Sequence, residues 1–338
     1  MRPFAYVRAD DAAGAVATVA ADPEAGFLGA GTNLVDHLKL DVERPGLLVD
    51  VSRLPLDAVE DVEGGGLRVG ATVRNSALAA DRRVRHDYPV LSQALLAGAT
   101  GQLRNMATTA GNLLQRTRCV YFRDVTTPCA KREPGSGCSA IGGYTRYHAV
   151  LGASSHCIAT HPSDMAVGMA VLDPVVVVLG PGGEKRIPFA ELHRLPGDSP
   201  ERDTVLEHGD LITHVEVPAY PAARNSAYRK VRDRASYAFA LVSVAAVLEV
   251  TDGRVADVRL AFGGVAHRPW RALAAEELLR GQPATEETFR AAADAELAAA
   301  EPQPGNAFKV PMLRGAVVAV LRDLTTAAAR AAGTGEDR

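Results

Sequence analysis

Gly111-Asn112-Leu113-Leu114 opens and His161-Pro162-Ser163-Asp164 closes the stretch around which this chain is read, and every cysteine of the sequence lies between them. Cys119, Cys129, Cys138 and Cys157 are separated by nine, eight and eighteen residues, all within 39 consecutive positions. Disulfides are a poor reading, because the sequence opens with no secretory signal and a chain with a large core does not need cross-links. Tetrathiolate zinc sites bring their ligands in close pairs, two to four residues apart, and no such pair occurs here. An iron-sulfur cluster is larger than one ion and can be wrapped by a long loop, although common ferredoxin spacings are tighter than these.

The residues between the cysteines favour a wrapped ligand. Pro128, Pro134-Gly135-Ser136-Gly137 and Gly142-Gly143 let a loop curl and aim backbone amides inward. Arg116, Arg118, Arg123, Lys131, Arg132 and Arg146 add positive charge that favours a reduced, more negative thiolate-ligated group. His148, His156 and His161 leave a mixed ligand set open, though a lone histidine is more often a hydrogen-bonding residue.

Working outward, 338 residues exceed what one core usually serves, so two or three subdomains are expected, and 47% apolar content fills them. A net charge of -3 without a lysine and arginine run argues against nucleic acid. The apolar runs Val175 to Leu179 and Phe239 to Leu248 are too short to span a bilayer. No membrane span is expected, and the sequence reads as cytoplasmic, or as periplasmic through co-export with a signal-bearing partner.

The chain reads as alternating short elements. An aspartate-capped helix over Asp11 to Ala21 precedes a strand at Gly26 to Leu28. The turn Gly29-Ala30-Gly31-Thr32-Asn33-Leu34 follows, with Thr32 or Asn33 capping a helix through Leu40. Strand, glycine turn and helix start make an anion pocket. Gly-x-Gly-x-x-Gly is absent, and a plain structural turn reads equally well. A strand at Leu47 to Val51, a hairpin about Gly64-Gly65-Gly66 and helices at Asn75 to Ala80 and Val90 to Ala97 come next, the last placing Leu91, Leu95 and Leu96 on one face. Arg104 to Leu114 is rich in small residues that let backbone approach a ligand, with Thr108, Thr109 and Asn112 able to hydrogen-bond it, or else a buried crossing. A helix over Met165 to Leu172, strands at 175–179 and 211–217, and a boundary at Pro218 and Pro221 lead into a last α+β unit. There, 238–250 and 255–262 read as two strands, or a helix and a strand, joined at Asp252-Gly253. Helices are expected over 270–279, 286–300 and 311–329. On their own, Asp164 reads as a helix cap and Lys230, beside Arg229, Arg232 and Arg234, as a solvated charge.

Taken together, Phe4-Ala5-Tyr6-Val7-Arg8, the turn Gly29 to Leu34, Thr109-Ala110-Gly111-Asn112-Leu113, His161 to Ala166 and Phe262-Gly263-Gly264-Val265-Ala266 carry a likeness running from residue 3 to about 325. They resemble the FAD-binding medium subunit of the xanthine dehydrogenase family of molybdenum hydroxylases. The resemblance implies an α+β fold: a two-part FAD-binding domain of the vanillyl-alcohol oxidase/MurB-like, PCMH type over 1–54 and 55–218. A C-terminal carbon monoxide dehydrogenase flavoprotein-like domain over 219–330 and a tail at 331–338 follow. It places the pyrophosphate of FAD on Ala30, Gly31, Thr32, Asn33 and Leu34 and on Thr108, Thr109, Gly111 and Asn112. Asp164 then faces the ribose or adenine side, and Lys230 approaches the flavin ring. An insertion at about 115–160 departs from most medium subunits and looks like the periplasmic aldehyde oxidoreductase branch. That likeness makes Cys119, Cys129, Cys138 and Cys157 ligands of an additional 4Fe-4S cluster.

The expected function is therefore an electron-transfer flavoprotein subunit of an oxidoreductase. Its partners would be a molybdenum cofactor-binding large subunit, a small subunit with two 2Fe-2S clusters, and an external electron acceptor. The rival is a zinc-stabilised binding or assembly module without flavin.

Overall fold

The structure, a computed structural model, describes residues 1–333. Strands β1 (Ala5–Arg8), β2 (Ala25–Leu28) and β3 (Leu47–Asp50) form a parallel sheet in the order β1-β3-β2. Parallel neighbours need a crossover, and helix Ala12–Ala21 supplies one between the outer strands. Asp11 starts that helix by accepting the Gly14 N–H at 2.7 Å, and Ala15, Val16 and Val19 pack against Val49, Val51 and Leu54.

The second sheet is antiparallel, in the order β4-β5-β8-β6-β7, from β4 (Val59–Asp61), β5 (Gly66–Gly70), β6 (Val175–Gly180), β7 (Gly183–Pro188) and β8 (Leu211–Pro218). Gly64 and Gly65, at φ 84° and 86°, make the β4-β5 turn that other residues would strain. One face is covered by helices Pro89–Ala97 and Asp164–Ala170, whose Leu91, Leu95, Met165 and Met169 enter the core. Leu96 does not: it is 54% exposed, because Leu91 and Leu95 are four residues apart on one helical face and Leu96 lies about 100° round from Leu95. A helix over Arg82–Asp87, capped by Asp81, was not expected from sequence.

The third sheet contains β9 (Ser226–Val231), β10 (Val242–Thr251), β11 (Arg254–Gly263) and β12 (Trp270–Arg271), antiparallel in the order β12-β11-β10-β9. Asp252 and Gly253, both at positive φ, turn β10 into β11, so this region is a hairpin and not a helix and strand. Trp270 and Arg271 pair with β11, and the helix expected from 270 therefore begins at Leu273. Helices Leu273–Leu279, Glu286–Leu297 and Lys309–Gly333 bury this unit's core. The last helix extends three residues into the expected tail; the rest of that tail lies outside the described residues. Among the described residues no helix is long and apolar enough to cross a membrane.

The cysteine-bearing stretch is mostly turns, with one short helix at Val120–Arg123 and a bridge between Cys129 and Cys138. Its two ends are fastened together. His161 Nε2 lies 3.3 Å from the Leu113 carbonyl, and Ser163 Oγ donates to Asn112 Oδ1 at 2.5 Å.

Candidate cofactor sites

The glycine turn after β2 brings two predicted stretches into contact. Gly31 has φ +73°, and a Cβ there would stand 2.9 Å from Val35 Cγ2. An added Cβ on Gly29 would lie 3.3 Å from Thr108 Oγ1, and one on Gly111 only 2.8 Å from the same oxygen. Thr108 in turn caps helix Thr109–Leu113 by accepting the Gly111 N–H at 3.2 Å. Ala30, Gly31, Thr32, Asn33, Leu34, Thr108 and Gly111 share the wall of one cavity of about 270 Å³. Thr109 does not join them: fully buried, its hydroxyl donates to the Val73 carbonyl at 3.1 Å. Asn33 precedes helix Leu34–Lys39 but makes no capping bond; its Oδ1 accepts the Arg116 N–H at 3.0 Å.

A second cavity of about 440 Å³ shares Thr32, Asn33 and Gly111 with the first and adds Asn112, Asp164 and Lys230. A third, of about 360 Å³, shares Arg118, Asp164 and Phe239 with the second and ends on Cys119 and His148. The three adjoin as one channel from the glycine turn to the cysteine-bearing stretch.

In mid-channel, Asp164 begins a helix capped by Ser163, which accepts the Ala166 N–H at 2.9 Å. The Asp164 carboxylate accepts from Lys230 Nζ at 2.8 Å and from the Tyr228 hydroxyl at 2.5 Å. Tyr228 and Lys230 are two apart on β9, so the pleat sends both to the same side. Burial and the adjacent carboxylate hold the Tyr228 hydroxyl well above its ordinary pKa. Lys230 is thus no solvated charge: its side chain is 5% exposed. Asp164 and Lys230, expected at different parts of the dinucleotide, meet as one ion pair.

Several polar atoms on the channel walls are buried without a partner among the described residues: Thr72 Oγ1, Asn75 Nδ2, Arg118 Nε and Arg123 Nε. Buried polar groups are ordinarily satisfied, so these walls fit a polar ligand rather than an apolar one. None of the four was expected. Only the two arginines left a trace in the sequence, as part of the cationic run after Gln115.

All four cysteines are free and line one further cavity with Tyr121, Phe122 and Lys131. Burial pushes the Cys119 thiol up to about 11 and the Cys157 thiol up to about 12. Such thiols keep their protons unless a metal displaces them. Cys119 Sγ lies 3.1 Å from His148 Nε2, and burial takes that imidazole down to about 4, so it is neutral at pH 7. His156 is half exposed beside Asp198, and His161 turns to Leu113. Among the described residues no three histidine, cysteine or acidic side chains are placed to hold a single ion.

Buried charges tie this cavity to the loop that precedes β3. Lys131, its side chain 1% exposed, donates to Asp203 Oδ1 at 2.5 Å. Asp203 also accepts from Arg116 Nε at 2.8 Å, and Arg116 reaches Glu43 at 3.3 Å. Burial opposes ionisation of Asp203, but Lys131 and Arg116 outweigh it and hold the carboxyl well below its usual range.

Residues 2–220 match the family described as the FAD binding domain in molybdopterin dehydrogenase, and residues 226–329 match the CO dehydrogenase flavoprotein C-terminal domain. The chain belongs to this family of FAD-binding subunits. The aldehyde oxidoreductase FAD-binding subunit PaoB of Escherichia coli K12 is 51% identical over 325 residues, covering 96% of this chain and 98% of that one. Among solved structures, a carbon monoxide dehydrogenase from Hydrogenophaga pseudoflava is similar, with a TM-score of 0.74 at 25% identity over 95% of this chain and 98% of that one. Quinoline 2-oxidoreductase from Pseudomonas putida 86 shares the fold, with a TM-score of 0.75 at 22% identity over 97% and 98%.

This FAD-binding subunit is therefore part of an oxidoreductase complex of the molybdenum hydroxylase type. The α+β fold implied by the resemblance is the one found. The rival, a zinc-held module without flavin, finds support neither in the family nor in the placement of the cysteines.

Proposed function

We propose that the chain is the electron-transfer subunit of a molybdenum-dependent aldehyde oxidoreductase, with FAD in the channel and a 4Fe-4S cluster on Cys119, Cys129, Cys138 and Cys157. The reading is carried by four free cysteines lining one cavity at the end of the channel, in a chain half identical to an aldehyde oxidoreductase FAD-binding subunit. The four thiols, nine, eight and eighteen residues apart in sequence, lack the close pair that tetrathiolate zinc sites use, and a long wrapping loop suits a cluster. Its partners are a large subunit with the molybdenum cofactor, a small subunit with two 2Fe-2S clusters, and an external acceptor.

Bound FAD supplies a store for two electrons between one-electron carriers and that acceptor. The chain's own residues hold and insulate it. The Gly29–Leu34 turn and Thr108–Asn112 would hold the diphosphate through backbone that only small residues leave accessible. Asp164 keeps Lys230 and Tyr228 fixed in mid-channel. At the cysteine cavity, His148 meets the Cys119 sulfur and Lys131 favours the negative form of Cys157.

Iron and flavin analysis of the purified complex tests the reading, with Cys138→Ser as the variant. The parent is expected to show flavin bands over broad sulfur-to-iron absorption, with iron in excess of what the small subunit's two 2Fe-2S clusters hold, and the variant to lose that excess. A flavin-containing parent without the excess iron ends the cluster assignment, and a colourless zinc protein ends the whole reading. A variant lacking the excess iron with unchanged turnover towards every acceptor makes the cluster a structural clasp and not a relay.

A further inference from the structure

Not every cation on the channel walls has a carboxylate of its own. Lys230 is neutralised by Asp164 at 2.8 Å, both being buried. Arg123 is neutralised by Asp36 at 2.6 Å. Arg118 lines both the second and third cavities and has only the remainder of Asp36, at 3.8 Å, and a long contact to Gln115 at 3.4 Å. Its Nε is buried with no partner among the described residues. Its guanidinium lies over the Phe239 ring, 5.0 Å from the centroid, so one face is covered by apolar surface. The other cations on these walls are placed differently. Arg104 donates to the carbonyls of Gly98 and Ala99, and the exposed Arg234 to that of Tyr237.

We propose that Arg118, contributed by the cysteine-bearing insertion, is the counter-charge for the negative charge that the flavin ring takes up on reduction. This rests on the reading of the channel as the FAD site. The aromatic and apolar end of the channel, with Pro162, Tyr237 and Phe239, suits the ring, whereas the glycine turn at the other end suits the diphosphate. A half-buried guanidinium short of hydrogen bonds gains most from an anion arriving beside it, because its field is poorly screened there. When the oxidised ring accepts two electrons and one proton, a net negative charge remains on it. A cation at that place favours the reduced form without entering the chemistry. The arginine immediately precedes Cys119, so the insertion adjusts the flavin as well as carrying thiols.

The flavin midpoint potential of the purified complex, followed by spectroelectrochemical titration, tests this with three variants. Arg118→Met is expected to shift the flavin potential to more negative values, and Arg118→Lys to keep it near the parent's. Asp36→Asn, which removes the carboxylate that Arg118 shares with Arg123, is expected to shift it the opposite way. An unchanged potential in Arg118→Met at full FAD content overturns the proposal. If Arg118→Met does not retain FAD, Asp36→Asn decides: a potential equal to or below the parent's overturns it. A parent complex without flavin ends the FAD reading itself, which separates that failure from this one.

Discussion

Asp164 shows how much one position carries. From sequence it reads as a helix cap, yet the capping is done by Ser163, and Asp164 holds Lys230 and Tyr228 across the channel. Asp164→Asn keeps the shape and leaves a buried ammonium without its carboxylate. Breaking such a pair costs about 3–5 kcal/mol. The expected outcome is a lower unfolding midpoint together with reduced FAD content, checked by thermal scanning and the flavin-to-protein absorbance ratio; an unchanged FAD content refutes a role in the channel. Residues of this kind were legible unevenly. The cysteines announce themselves by crowding and the glycine turn by its pattern. Lys230 became interpretable only through the family resemblance, since its neighbours Arg229 and Arg232 hide it. Asn75 and Thr72 left no sign, because an orphaned polar atom is a property of the folded surroundings and not of the residue type.

At the scale of elements, the turn between β2 and helix Leu34–Lys39 is the most constrained part of the channel. Gly31→Ala forces a Cβ into the left-handed region and against Val35. It is expected to cost about 1–2 kcal/mol and to weaken FAD retention, read as faster flavin loss on dilution. The equivalent change at Gly182, where an added Cβ meets nothing and φ is not positive, should leave retention unchanged. Elements with a regular period were legible: helix Ala12–Ala21, the β4-β5 hairpin and β6 all fall where the pattern puts them. β9 and β12 were not. β9 carries charged residues along a half-buried edge, and β12 is two residues long and exists only by pairing with β11. Tertiary pairing, not local propensity, makes both of them strands.

Across the whole molecule, the C-terminal unit is joined to the cysteine-bearing stretch by a buried lysine. Lys309 Nζ donates to the carbonyls of His148 and Gly264, at 2.9 and 2.7 Å, and pairs with no carboxylate among the described residues. Burial lowers its pKa to about 7, whereas in the unfolded chain a lysine titrates near 10.4. Between those values the unfolded chain binds more protons, so stability rises with pH, by up to about 1.4 kcal/mol per unit. Lys309→Met is expected to lack that rise. Unfolding free energies at pH 7 and 9 check it: the parent should gain on the order of 2 kcal/mol more than the variant, and equal gains refute it. Pro218 and Pro221 mark in the sequence the passage from β8 to β9. The buried contacts of Lys309, Arg116 and Asp203 left no such mark, since they form between residues far apart in the chain.

The fastening of Leu113 to His161 and of Asn112 to Ser163 has a consequence for descent. An excursion whose exit and return are pinned side by side extends the chain without displacing the walls it springs from. Losing it would remove Arg116 and Lys131 together and strip the Asp203 carboxylate of both cations. Relatives that dispense with the excursion should therefore carry an uncharged residue where Asp203 stands.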